Sequence, residues 1–297
     1  MFPGQGVQRR GMGRELFERF PDMVVDADEV LGYSIRDLCL ENRDGRLALT
    51  EFAQPAIYVV NAMALRAHRE TAPPPDIAIG HSLGEYNALH AAGAFGFCEG
   101  LALVKARAQA TAGVPGAMLA VVGLSRQQVE DVLNATGGTR VHIANFNSAR
   151  QLVLSGLADE IDAVRPALEL AGARLARRLR VSGPFHSPHM APAAERFEAA
   201  VQAARLEAPA IPVVANLTGR PHQAAGMRDA LVWHLTSPVL WKQSVEWIWQ
   251  EYEGIRGNSA EPDGESWEPL HITELGSGNV LMRLIRHLRS EYVAGIA

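Results

Sequence analysis

Apolar and polar positions along the chain follow two rhythms. Leu16, Phe17 and Phe20 keep the spacing of a helix face, and residues 55–69 read as a largely buried helix that Pro55 opens. The proline-rich residues 71–75 end that helix. The apolar run 76–79 predicts a short strand aimed at Gly80, with a helix over 83–92 starting at once.

The pattern changes between 116 and 182. Strands are predicted over 117–122, 140–144, 151–155 and 174–181, with helices over 125–133 and 158–171. This β-α-β-β-α-β order is the ferredoxin-like unit, a compact sheet with two helices on one face. Alternation then resumes with a helix over 192–204, a strand over 211–215, and helices near 224–235 and 241–251. A strand over 271–274 and a last helix to about 289 follow. The unit thus reads as an insertion in a discontinuous larger domain. Residues 256–269 read as a polar surface loop, and no internal repeat is evident.

Composition narrows the function classes. With 297 residues, 47% hydrophobic and 21% charged, the chain can bury a full core. Its net charge of −5 offers no global attraction to nucleic acid or an anionic membrane. Cys39 and Cys98 match neither a disulfide framework nor a metal spacing, which predicts a reducing, cytoplasmic setting. No apolar run approaches the roughly 20 residues that span a bilayer, so a soluble, untargeted protein is expected.

Candidate chemistry centres on Gly80-His81-Ser82-Leu83-Gly84. This is a G-x-S-x-G elbow with a strand before it and a helix after it, the context in which helix-start N–H groups can hold an oxyanion. A serine needs a base, and among ten histidines the best placed lie in Pro184-Phe185-His186-Ser187-Pro188-His189. Spacing does not choose between His186 and His189. Gly4-Gln5-Gly6 fails the dinucleotide spacing.

Four stretches in order carry a resemblance: Phe2-Pro3-Gly4-Gln5-Gly6, Gly80-His81-Ser82-Leu83-Gly84-Glu85, Asn145-Phe146-Asn147-Ser148 and Pro184-Phe185-His186-Ser187. Over essentially its whole length the chain resembles the malonyl-CoA:acyl carrier protein transacylase family, and most closely the discrete acyltransferases that serve polyketide synthases in trans. The resemblance implies an α/β fold: a large α/β-hydrolase-like domain, residues 1–115 plus 189–297, with a ferredoxin-like small domain, 116–188, inserted. It implies Ser82 as nucleophile, His186 as general base, and Gln5 with the Leu83 backbone N–H as oxyanion hole. Arg107, which alone reads as a solvated helix residue, would pair with the free carboxylate of a malonyl group. Gln54 and Asn147 would line the site, Phe185 would narrow it beside the α-carbon, and the backbone carbonyl of His234 would orient the histidine. Relatives often carry glutamine where this chain has His234, and Leu-Met where it has Ala110-Thr111.

The implied partners are malonyl-CoA and a holo acyl carrier protein, with no metal, flavin or nucleotide cofactor, and a monomer is expected. An acidic carrier needs a local cationic surface. Arg174, Arg177, Arg178 and Arg180 form one candidate, and Arg283, Arg286 and Arg289 on the last helix another. The alternatives are a hydrolase clearing acyl groups from carriers, a transferase for a substituted malonyl unit, and a non-catalytic docking module.

Overall fold

A computed structural model describes residues 1–181, 183–258 and 270–294. Its strands are β1 (Ala78–Ile79), β2 (Ala117–Val122), β3 (His142–Ser148), β4 (Gln151–Gly156), β5 (Leu175–Arg178), β6 (Val213–Ala215) and β7 (Arg220–Pro221). They form two sheets, ordered β1-β6-β7 and β3-β4-β2-β5.

The larger part of the molecule is built around buried helices and a short sheet. β1 runs parallel to β6, and both are apolar on both faces, as a covered parallel sheet requires. Phe2 adds a parallel bridge to Gly80 beside them. The helix Thr50–Arg69 crosses the core and buries Ile57, Tyr58, Val59, Val60 and Met63. It does not open at Pro55, as predicted. It starts at Thr50 with Pro55 inside, because Ala53 and Gln54 are already buried and their packing outweighs the one helical hydrogen bond that proline cannot donate.

The second sheet is antiparallel throughout, with the unit's first and third strands in the centre. Helices Arg126–Ala135 and Ala158–Leu170 cover one face. Ser125 starts the first with a capping box, its hydroxyl accepting from Gln128 N–H while the Gln128 side chain accepts from the Ser125 N–H. Leu119 and Val121 of β2 join that helix-covered core, whereas the alternate residues Met118 and Ala120 line a cleft toward the large domain. This is the α/β-hydrolase-like and ferredoxin-like combination.

Several further boundaries differ from the sequence reading, β5 and β6 being shorter than the expected 174–181 and 211–215. β3 spans His142–Ser148 rather than 140–144, because it continues across the domain junction, where Phe146 N–H donates to Val239 O and Val239 N–H to Ala144 O. Residues 271–274 form no strand. Met1 donates to Thr273 O and accepts from Leu275 N–H, but the Phe2 N–H is spent on Ile79 O and Pro3 has none, so no ladder develops. Of the expected loop 256–269, residues 256–258 end the helix Trp241–Asn258 and the remainder lies outside the described residues.

Candidate active site

The turn after β1 is fixed by a lack of space. A Cβ on Gly80 would lie 1.9 Å from the Gly84 carbonyl carbon, and one on Gly84 would lie 2.0 Å from Phe2 O. Ser82, between them, is held at φ +53°, a left-handed conformation that serine rarely adopts. Asn216 pins it. The amide oxygen of Asn216 accepts from Ser82 N–H at 2.6 Å, its amide nitrogen donates to Gly80 O at 2.7 Å, and its own N–H donates to Glu85 Oε2 at 2.8 Å. The helix Gly84–Ala91 follows, with Leu83 at its N-cap. Among the described residues, neither the Gln5 nor the Leu83 backbone N–H has a hydrogen-bond partner, and both residues line the cleft. The Gln5 side chain donates to the Thr50 hydroxyl.

His186 arrives from the far side, also left-handed at φ +58°. Its Nε2 lies 2.7 Å from Ser82 Oγ and its Nδ1 2.8 Å from His234 O. A carbonyl only accepts, so Nδ1 carries the proton and Nε2 presents its lone pair to the serine hydroxyl. Burial first, and then the Arg107 guanidinium, push the ring down from 6.5 to about 3, opposed by the His234 carbonyl. His186 is therefore neutral near pH 7. The His189 ring turns elsewhere, its Nε2 lying 2.8 Å from Arg140 O.

Arg107 lies on the helix Phe97–Thr111 and is only 2% exposed, contrary to the solvated reading of a lone helix arginine. Its Nη1 donates to Gln54 Oε1 at 2.6 Å, its guanidinium carbon sits 5.9 Å from the Tyr86 ring centroid, and its Nε has no partner. Among the described residues it forms no ion pair with a carboxylate. Burial weakens its hold on the proton and is only partly offset by the nearby Tyr86 and Glu85 side chains, and the guanidinium faces a cavity.

That cavity, about 240 Å³, gathers the expected residues. Gln5, Ser82, Leu83, Arg107, Phe185 and His186 line it from the large-domain side and the histidine loop, and Asn145, Asn147 and Gln151 from the small sheet. Val280, Leu281 and Leu284 of the helix Val280–Val293 close the remaining side. Asn147 accepts from His81 Nε2 at 2.9 Å. Gln54 stands behind the wall and reaches the cavity through Arg107. The His234 ring is buried beside His186, with ring centroids 4.7 Å apart; neither nitrogen is hydrogen-bonded, and Nδ1 lies 3.8 Å from Glu85 Oε2.

The arginine candidates divide by strand register. Arg177 pairs with Ala120, a cleft position, whereas Arg178 pairs with Leu119 on the helix-covered side and bonds Asp162. Arg174 and Arg180 are exposed near the same edge. Arg283 and Arg286 are exposed on the last helix, and Arg289 stacks over Trp249. Sequence reasoning missed Asn216 and Tyr86. Asn216 sits in Ala215-Asn216-Leu217-Thr218-Gly219, which reads only as a turn, and Tyr86 as ordinary core.

Residues 1–254 match the family described as the acyl transferase domain. The chain belongs to this acyltransferase family. It is 39% identical to the polyketide biosynthesis malonyl CoA-acyl carrier protein transacylase BaeC of Bacillus velezensis, over 100% of this chain and 98% of that protein. It is 42% identical to the polyketide biosynthesis protein ThaF of Burkholderia thailandensis over 97% of this chain, which spans only 24% of that relative. The crystal structure of a malonyl CoA-acyl carrier protein transacylase from Burkholderia pseudomallei superposes with a TM-score of 0.91 at 43% identity, covering 98% of this chain and 97% of that one. Among the described residues of this acyltransferase, no His, Cys, Asp or Glu group could hold a metal ion, and no helix is long and apolar enough to cross a membrane.

Proposed function

We propose that the chain transfers a malonyl group from malonyl-CoA to the phosphopantetheine thiol of an acyl carrier protein, for polyketide assembly, through a malonyl ester on Ser82. The observation that carries this reading is the buried Arg107, without a carboxylate partner, in the same cavity as the Ser82–His186 pair. An uncharged acyl group would leave that cation with no directly paired carboxylate, whereas a malonyl carboxylate supplies one.

His186 Nε2 takes the hydroxyl proton as Ser82 Oγ attacks the thioester carbon, and the Gln5 and Leu83 N–H groups receive the developing oxyanion. The carbon–sulfur bond breaks, and His186 returns the proton to the departing CoA sulfur. The carrier's thiol then attacks the ester carbon, gives its proton to His186, and the serine oxygen recovers one. Transfer prevails over hydrolysis because the anchored carboxylate fixes the acyl group in a shielded cavity. Phe185, 7% exposed, leaves little room beside the α-carbon and so favours plain malonyl over a substituted unit.

The same reading takes 1–115 with 189–297 as the large domain and 116–188 as the small one. It docks the acidic carrier on Arg174, Arg177 and Arg180 at the small-sheet edge together with Arg283 and Arg286. Cys39 and Cys98 are free thiols, which supports a cytoplasmic setting.

Intact-protein mass spectrometry after brief exposure to malonyl-CoA, followed by holo carrier protein, tests both half-reactions. The expected result is a malonyl adduct on the wild type, absent in Ser82→Ala and passed to the carrier. An adduct lost to water faster than to the carrier favours the hydrolase.

A further inference from the structure

We propose that Thr111 is a positioning residue that, through Gln54, fixes the orientation in which the Arg107 guanidinium meets a carboxylated acyl group, an inference that rests on the role given to Arg107 above. Thr111 follows Arg107 by one helical turn and is 2% exposed. Its hydroxyl donates to Arg107 O at 2.9 Å, with a weaker contact to Ala108 O at 3.3 Å. With its proton so committed, Oγ1 turns its lone pairs to Gln54, whose Nε2 donates to it at 3.2 Å. Gln54 is fully buried, and its Oε1 accepts from Arg107 Nη1 at 2.6 Å.

The polarity of this ring is forced. A guanidinium has five donors and no acceptor, so only the oxygen end of the Gln54 amide can face it. The nitrogen end then needs an acceptor on the opposite side, in a place closed to bulk solvent, and Thr111 supplies it. The relay therefore leaves the backbone carbonyl of Arg107, passes through Thr111 and Gln54, and returns to the side chain of the same arginine.

The consequence lies at the guanidinium. One of the two Nη1 N–H donors is committed to Gln54, while Nε is buried and unpartnered. With Nη1 anchored the guanidinium plane is fixed, and its side-on Nε–Nη2 edge offers a carboxylate two parallel donors that Gln54 does not use. Replacing Thr111 by valine keeps the volume but removes the acceptor. The Gln54 amide then either keeps a buried N–H without a partner or rotates and sets N–H against N–H, and in both cases Nη1 is no longer held.

The test compares loading rates from malonyl-CoA and acetyl-CoA on single preparations of wild type, Thr111→Val, Thr111→Ser and Arg107→Ala. Because both rates come from one preparation, their ratio is insensitive to the folded fraction. Thr111→Val is expected to lower the malonyl-to-acetyl ratio about tenfold, and Thr111→Ser, which restores the hydroxyl, to keep it within about twofold. An unchanged ratio in Thr111→Val, or an equal fall in Thr111→Ser, overturns the proposal. If Arg107→Ala also leaves the ratio unchanged, the carboxylate reading of Arg107 fails with it. If Arg107→Ala collapses the ratio while Thr111→Val does not, only the relay is wrong.

Discussion

The elbow around Ser82 and the loop around His186 solve one problem by different means. Both hold a non-glycine residue in the left-handed region, at φ +53° and +58°. The only other such residue among those described is Asn42, a type that tolerates this conformation. Strain of about 1–3 kcal/mol per residue is thus concentrated on the two side chains that meet. The elbow is held by crowding: Gly80 and Gly84 admit backbone where any Cβ would collide, and Asn216 locks the result. The histidine loop is held by tethers. Prolines flank it, Ser187 Oγ donates to Pro184 O at 2.6 Å, and His186 N–H donates to Leu235 O at 3.1 Å. Crowding fixes the shape of the Ser82 turn through glycines within two residues of it, whereas the His186 position is set by hydrogen bonds that reach His234 and Leu235.

The largest effect should come from cutting the pair itself. His186→Ala leaves the elbow intact and should slow malonyl loading about 10³-fold, read by quenched-flow mass spectrometry. Next, Gly84→Ala should break the elbow alone and cost about 3 kcal/mol in urea unfolding. Gly93→Ala, with φ +77° but open space around its Cβ, should cost only about 1 kcal/mol, which separates crowding from conformation. Ser187→Ala removes one tether and should cost about 1 kcal/mol, with loading a few-fold slower.

The smallest effect is in pH. Because His186 binds its proton only near pH 3, the loading rate should vary by less than about twofold between about pH 5 and 7.5. An imidazole at 6.5 would lose most of its activity over that range. For stability the sign follows from the same difference. Between about 6.5 and 3 the unfolded chain holds a proton on residue 186 that the folded chain does not, so unfolding free energy rises with pH across that window. His186→Ala should reduce that slope by its own share in pH-dependent urea titrations, leaving the part due to the other buried histidines, His234 and His81 among them.

What was legible in the sequence follows the same division. The elbow could be read because a strand, two glycines and a helix start all lie within a few residues of Ser82. The small domain could be read because period-two and helical patterns alternate cleanly there, and β2 was placed to the residue. The choice between His186 and His189 could not, because it depends on His234 and Leu235, which carry the accepting carbonyls. Asn216, 134 residues from the serine whose N–H it accepts, has no local signature either. The strand expected over 271–274 failed for the same reason: its apolar pattern says nothing about Met1, the neighbour that satisfies Thr273 and Leu275 instead.

The last helix has a consequence for anyone who would splice this chain. The family match ends at residue 254, yet Leu281 and Leu284 close the cavity beyond it. Glu291 accepts from Ser148 Oγ and Ala149 N–H, both at 2.9 Å, and so ties the end of the chain to the tip of the β3–β4 hairpin. A transplant cut at the family boundary would carry Ser82 and His186 and leave behind both a wall of the cavity and the clasp on the β3–β4 hairpin. A junction for swapping or fusing this catalytic unit belongs beyond Val293.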